Sequence, residues 1–193
     1  IIPGLKSGRY DVALSNINAT QKRLEQVDFV SYYDASRLGV ISRKDANIAD
    51  FTELTQGCGK EIGAGSGTTQ INRLNEASKA CEAQGKPPIK VAIFPDRPAG
   101  VQAVVSGRVP MFFGPYEGLT WQVKTVKPLT MSGQISVNDA PVSIAFQKDS
   151  KLEEAVQAAL NSLIQDGTYQ KILDHWSIGF GAVKESKRNQ EIF

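Results

Sequence analysis

Short apolar runs alternate along this chain with longer stretches whose apolar residues recur at helical spacing. The runs predict buried strands and the spaced stretches amphipathic helices. Strands are expected over 10–14, 36–44, 61–64, 89–94, 109–113 and 140–148. Helices are expected over 51–55, 68–84, 97–105, 115–123, 151–165 and 168–176. Ile71, Leu74, Ala77 and Ala80 stripe the second of these helices. Leu152, Val156, Ala159, Leu160 and Leu163 stripe the fifth, with Ser150 as its cap and Gly167 as its stop. Asp50 is the expected cap of 51–55. Strands alternating with helices predict an α/β protein, and polar breaks at 45–50 and 133–139 offer crossing points between two lobes.

One joint occurs twice. Leu5-Lys6-Ser7-Gly8-Arg9 leads into the first strand, and Val104-Val105-Ser106-Gly107-Arg108 leads into 109–113. Each reads as a helix, a turn with Gly past the helix end, and an apolar strand. The repetition predicts two similar α/β lobes. After the first joint, Ser15, Asn16 and Asn18 stand at the strand's carboxyl end. Thr20 then caps a helical turn whose third residue is Arg23. Small polar groups, a helix start and a guanidinium form a pocket for a small anion.

Gly63-Ala64-Gly65-Ser66-Gly67-Thr68-Thr69-Gln70 joins a strand to a helix but lacks the Lys of a phosphate loop. Thr68 stands where a dinucleotide turn has its third glycine. What remains is a helix start whose amides, with Thr68 and Thr69, favour an anion or simply cap the helix. No nucleophilic triad assembles, and His175 beside Trp176 reads as a packing or surface residue.

With 41% hydrophobic and 22% charged residues, the chain has apolar mass for a core. A net charge of +2, without a basic cluster interleaved with aromatics, gives no reason to expect nucleic acid. No apolar run approaches membrane-spanning length. The stretch Lys184-Glu185-Ser186-Lys187-Arg188 reads as a solvated terminus. Cys58 and Cys81 fit either a bridge or two free thiols, and two Cys with one His are too few for an ordinary metal site. The apolar opening Ile1-Ile2-Pro3-Gly4-Leu5 reads as the interior of a longer protein.

Three motifs in order resemble a known family. They are Leu5-x-Ser7-Gly8-Arg9-Tyr10-Asp11 with Thr20-x-x-Arg23 and Asp28-Phe29, then Gly67-Thr68-Thr69, then Asp166-Gly167-Thr168-Tyr169-x-Lys171-Ile172-Leu173-x-x-Trp176. Together they resemble the polar amino-acid-binding solute-binding proteins, family 3, of bacterial ABC importers. The resemblance implies a two-lobed, type II periplasmic-binding-protein-like fold with two hinge crossings: 1–46 lobe one, 47–136 lobe two, 137–193 lobe one again. It also implies a lobe one incomplete at its N-terminus, because family members carry a further strand, helix and strand there. By the same resemblance, an amino acid or related carboxylate-bearing molecule is captured in an interlobe cleft and passed to ABC permease subunits.

On that pattern Arg23 takes the ligand's α-carboxylate, Ser15, Asn16 and Asn18 line one wall, and Thr68 and Thr69 contact the same carboxylate. Pro115 stands where many members carry an Asp for the ligand's ammonium, so Glu117, Tyr116 or another group is expected to replace it. Export, periplasmic or extracellular with a signal peptide or lipid anchor in the precursor, tips Cys58 and Cys81 toward a disulfide. No cofactor, metal, nucleic acid or membrane insertion of this chain is implied. The alternatives are an enzyme on the same fold, dehydratase-like, and a sensor domain of a membrane receptor.

Overall fold

The computed structural model describes residues 1–34, 37–48, 50–137, 140–176 and 178–193. It divides into two units, residues 1–36 with 138–193 and residues 37–137. The predicted strand start Ser36, and Ala49, Asn138 and Asp139 of the predicted breaks, lie outside the described residues.

In the first unit, helix α1 (Ile2–Lys6) ends in the first Ser-Gly-Arg turn and passes into strand β1 (Val12–Ala13). Helix α2 (Gln21–Leu24) follows, then strand β2 (Asp28–Tyr33). The second unit opens with strand β3 (Arg37–Arg43), strand β4 (Glu61–Gly65) and helix α3 (Thr69–Ala83). It continues through strand β5 (Lys90–Phe94), helix α4 (Arg97–Val105) and strand β6 (Met111–Pro115). Helix α5 (Tyr116–Thr125) and strand β7 (Leu129–Ser136) complete it. The chain then returns to the first unit with strand β8 (Val142–Phe146) and helices α6 (Leu152–Gln165) and α7 (Thr168–His175).

The second unit's sheet runs β5-β4-β6-β3-β7. Strand β4 is parallel to β5 and to β6, while β3 is antiparallel to β6 and β7. Period-two alternation sends successive side chains to opposite faces. Ile62, Ala64, Met111 and Phe113 meet Leu74, Ala77 and Cys81 of α3 on one face. Phe94 and Phe112 meet Val101, Val104 and Leu119 of α4 and α5 on the other. Both faces are therefore dry, which is why β6 reads as an unbroken apolar run. Gly63 and Gly100 make room for that packing: a Cβ on Gly100 would fall 2.1 Å from the Phe112 ring. Cys58 and Cys81 form a disulfide with a Cα–Cα distance of 5.7 Å, fixing α3 to the segment before β4.

The first unit's sheet is β1-β8-β2, all antiparallel. Phe29 packs with Leu5, Leu24 and Val27 on one face, and Val30 with Ile144, Val156 and Leu160 on the other.

Four expectations are corrected. Strand β3 pairs with β6 and β7, so 37–46 belongs to the second unit and the division falls at 36/37 rather than 46/47. Asp50 caps nothing in 51–55; instead a short 3-10 helix, Leu54–Gly57, starts at Glu53 with a Glu53/Gln56 capping box. The apolar stripe of α6 is covered only in part: Val156 and Leu160 pack on the sheet, but Leu152 and Leu163 are exposed while Glu153 is buried. The tail at 184–188 is not a solvated terminus. Ser186 is fully buried, its hydroxyl donates to Ser31 O at 2.6 Å, and Ser31 N donates to Lys187 O at 2.8 Å. This segment pairs with β2, and α6 turns its polar side to it: Gln157 Nε2 donates to Ser186 O and Asn189 Nδ2 to Glu153, at 2.9 and 2.8 Å. Strands β2 and β7 are additions to the predicted elements.

Candidate functional site

In the first unit, Thr20 and Asn18 of the predicted anion pocket are bonded to Arg23. Thr20, extended at φ −106°, accepts a bond from Arg23 N at 3.3 Å, so the cap foreseen in the sequence fixes where α2 begins. The Arg23 guanidinium donates from Nη1 to Asn18 O at 3.0 Å and is half-buried. Burial lowers its pKa, because the charged form loses water. Among the described residues no carboxylate forms an ion pair with it. A partly desolvated cation held by a single carbonyl has donors left for an anion.

Ser15 and Asn16 are exposed at the carboxyl end of β1, and the Ser15 carbonyl accepts from Tyr32 Oη at 3.0 Å. Asn18 is held from two sides. Its side chain donates to Ala140 O at 2.9 Å while its carbonyl accepts from Arg23.

In the second unit, β4 sends the chain through α3 outward to β5, and β6 sends it through α5 outward to β7. The connections after these adjacent strands leave in opposite directions, the topology at which open α/β sheets ordinarily place a ligand, at the carboxyl edge. Thr68 and Thr69 stand in the connection that follows β4. Thr68 Oγ1 donates to Gly65 O at 2.7 Å and does not cap α3, whose first amides keep their donors free of side-chain acceptors. Gln70, buried in the first turn of α3, was not picked out by motif; a polar residue on an otherwise apolar helix face is the signal for it. In the connection after β6 are Pro115, which ends that strand, and Glu117 in the first turn of α5. The carboxylate oxygens of Glu117 are buried, and its charge acts on Arg97.

A groove of 740 Å³ elsewhere in the first unit contains none of the predicted site residues; Asp28, Lys148, Glu153 and Asn189 are among its lining. Asp28 there accepts from Lys148 Nζ and from Asp149 N, both at 2.6 Å, and these bonds fasten the end of β8 to the start of β2. The Asp28-Phe29 pair of the sequence motif is thus structural. His175 is exposed and stacks edge-on against Trp176 at 5.4 Å. Among the described residues no helix is long and apolar enough to cross a membrane.

Two units, each with a sheet covered by helices, and the solved structures below place the chain in the type II periplasmic-binding-protein fold. The chain belongs to the bacterial extracellular solute-binding proteins, family 3, whose model matches residues 1–180. It is 30% identical to ABC transporter arginine-binding protein 1 of Escherichia coli over 182 residues, 91% of this chain and 70% of that protein. It is 25% identical to the arginine-binding protein ArgT of Corynebacterium glutamicum, over 99% of this chain and 62% of that protein. Among solved structures it resembles an ancestral arginine-binding protein bound to arginine, with a TM-score of 0.76 and 28% identity, covering 91% of this chain and 75% of that one. The same comparison with an ancestral arginine-binding protein bound to glutamine gives a TM-score of 0.78 and 27% identity, covering 92% and 75%. The chain thus spans between about three-fifths and three-quarters of these proteins.

Proposed function

We propose that this chain is the ligand-binding part of an extracytoplasmic solute-binding protein. It hands an amino acid or a related carboxylate-bearing small molecule to an ABC permease and performs no reaction on it. The observation that carries the reading is Arg23, a half-buried guanidinium with one carbonyl partner and no ion pair among the described residues. A ligand carboxylate supplies the missing counter-charge as a bidentate pair. Ser15 and Asn16, exposed at the end of β1, add polar groups to the first unit, and Thr68 and Thr69 give the second unit a threonine-bearing helix start of its own. The relatives are named as binding proteins rather than enzymes, and the disulfide suits a compartment outside the reducing cytoplasm.

Calorimetric titration with a panel of free L-amino acids and their α-amides tests this. At least one free acid should bind, and amidation of its α-carboxylate should abolish binding. A panel in which nothing binds, or in which acid and amide bind equally, overturns the proposal.

A further inference from the structure

Strand β2 pairs with β8 on its inner side, while its outer side is closed by the segment that follows α7. Three amides along this edge are taken up in order. Phe29 N donates to Asn189 Oδ1, Ser31 N to Lys187 O and Asp34 N to Gly181 O, each at 2.8 Å. Ser31 is gripped twice more: its carbonyl accepts from Ser186 Oγ at 2.6 Å and its hydroxyl from Lys187 N at 2.8 Å. Asn189 is the clasp. At φ +46° it holds the left-handed conformation that Asn tolerates, with Oδ1 on Phe29 N and Nδ2 on Glu153, both at 2.8 Å.

This cover buries little apolar surface. The two apolar residues of 184–193 are Ile192, which packs against the cluster that holds Leu5 and Phe29, and Phe193, which is exposed. A segment held by hydrogen bonds, with few apolar contacts, opens more readily than the core. What lies beneath it is opposite in character. Asp28-Phe29-Val30-Ser31-Tyr32-Tyr33 has no Gly or Pro, four of its six residues are Phe, Val or Tyr, and its single charge is paired with Lys148. A run of that composition with unpaired outward amides templates another strand. The sheet's other edge, β1, has two residues and is too short to do so.

We propose that residues 184–193 are a detachable strap that keeps the β2 edge from pairing with the same edge of a second copy of this chain. Two β2 edges meet antiparallel across a twofold axis, each supplying acceptors for the other's outward amides. Identical copies are then complementary without any further partner. Strap and edge both lie in the first unit, and neither includes a residue proposed to take a ligand.

The test uses the full chain, native and with Ser186→Ala and Asn189→Asp combined. Both substitutions keep the strap's length. Alanine removes the hydroxyl bond to Ser31 O; aspartate keeps an acceptor for Phe29 N but sets a second carboxylate against Glu153. Circular dichroism checks that the variant is folded. In sedimentation velocity across a concentration series, the native chain should stay monomeric and the variant should form dimers. Adding the free peptide of residues 184–193 should return the variant to monomer. Hydrogen exchange on the native chain gives a second readout that holds even where the variant does not fold. The Phe29 and Ser31 amides should exchange at least about tenfold faster than those of Ile144 and Ala145 in β8, because they open with the strap and not with the sheet. A folded variant that stays monomeric at every concentration overturns the proposal. So does a native chain that is already dimeric, dimerisation that the peptide does not reverse, or equal exchange of the four amides.

Discussion

The two Ser-Gly-Arg turns are built almost atom for atom alike. Gly8 and Gly107 take φ +70° and +75°, the left-handed conformation that a β-carbon strains. Arg9 N donates to Gly4 O and Arg108 N to Ala103 O, at 2.9 and 2.8 Å; Ser7 Oγ and Ser106 Oγ each donate to the carbonyl three residues back at 3.2 Å. Both are Schellman-type endings. The strands they lead into differ. The second turn delivers β6, four of whose five residues are buried in mid-sheet; the first delivers β1, two residues at a sheet edge with Val12 and Leu14 exposed. Local sequence sets the turn, and the neighbours available on either side set how far the strand runs and how much it buries.

That contrast can be broken in several ways. The largest effect is expected in β6. Phe113→Ala should cost about 3–5 kcal/mol of unfolding free energy, because the ring is enclosed on every side. Val12→Ala in β1 should cost well under about 1 kcal/mol, since the side chain is already in water. Denaturant melts of the two variants give the comparison, and equal costs would mean that β1 is buried by something else. Next in size is the disulfide. Cys58→Ser with Cys81→Ser should remove about 3 kcal/mol in the chain-entropy account of a 23-residue separation, read as a lower denaturant midpoint. Gly8→Ala and Gly107→Ala should cost the same, about 1 kcal/mol each, because the strain is local while the burial is not. Unequal losses would show that the turns are not equivalent.

The smallest expected effect depends on pH. Burial, together with the nearby charge of Asp28, raises the Glu153 pKa, against the bond it accepts from Asn189. The folded state therefore holds that proton more firmly than the unfolded chain does. The stability this contributes is complete below the ordinary carboxylate pKa and is lost as pH climbs through the raised value. Glu153→Gln keeps an acceptor for Asn189 without the charge. Its thermal midpoint should stand above the native one at neutral pH, with the gap closing on acidification. A gap that widens in acid would contradict the assignment.

Much of the fold was legible because its signals are local. Helices α3, α4, α6 and α7 and the cap at Thr20 follow from spacing, caps and stops. Strand β2 escaped because Phe29, Val30 and Ser31 are all buried, leaving no alternation to read. Strand β7 escaped because Gly133 looks like a break. Its glycine is required by a neighbour far away in sequence: a Cβ there would meet Phe51 O at 2.5 Å. The stripe of α6 locates Val156 and Leu160 on the sheet but not the burial of Glu153, because the polar residues of the helix bind the returning tail, a partner no helical pattern announces.

The candidate site divides the same way. Arg23 and the threonine turn stand in recognisable local motifs. The bond from the Asn18 side chain to Ala140 O joins residues 122 apart, which no local pattern announces.

Arg23 bears most of the proposed function, and the affinity of Arg23→Lys and Arg23→Ala for whichever L-amino acid the native chain binds tests its role. Lysine keeps the charge but not the bidentate fork, so affinity should fall in both variants and further in alanine, by about 2–5 kcal/mol of binding free energy there. Native affinity in Arg23→Ala would contradict that role.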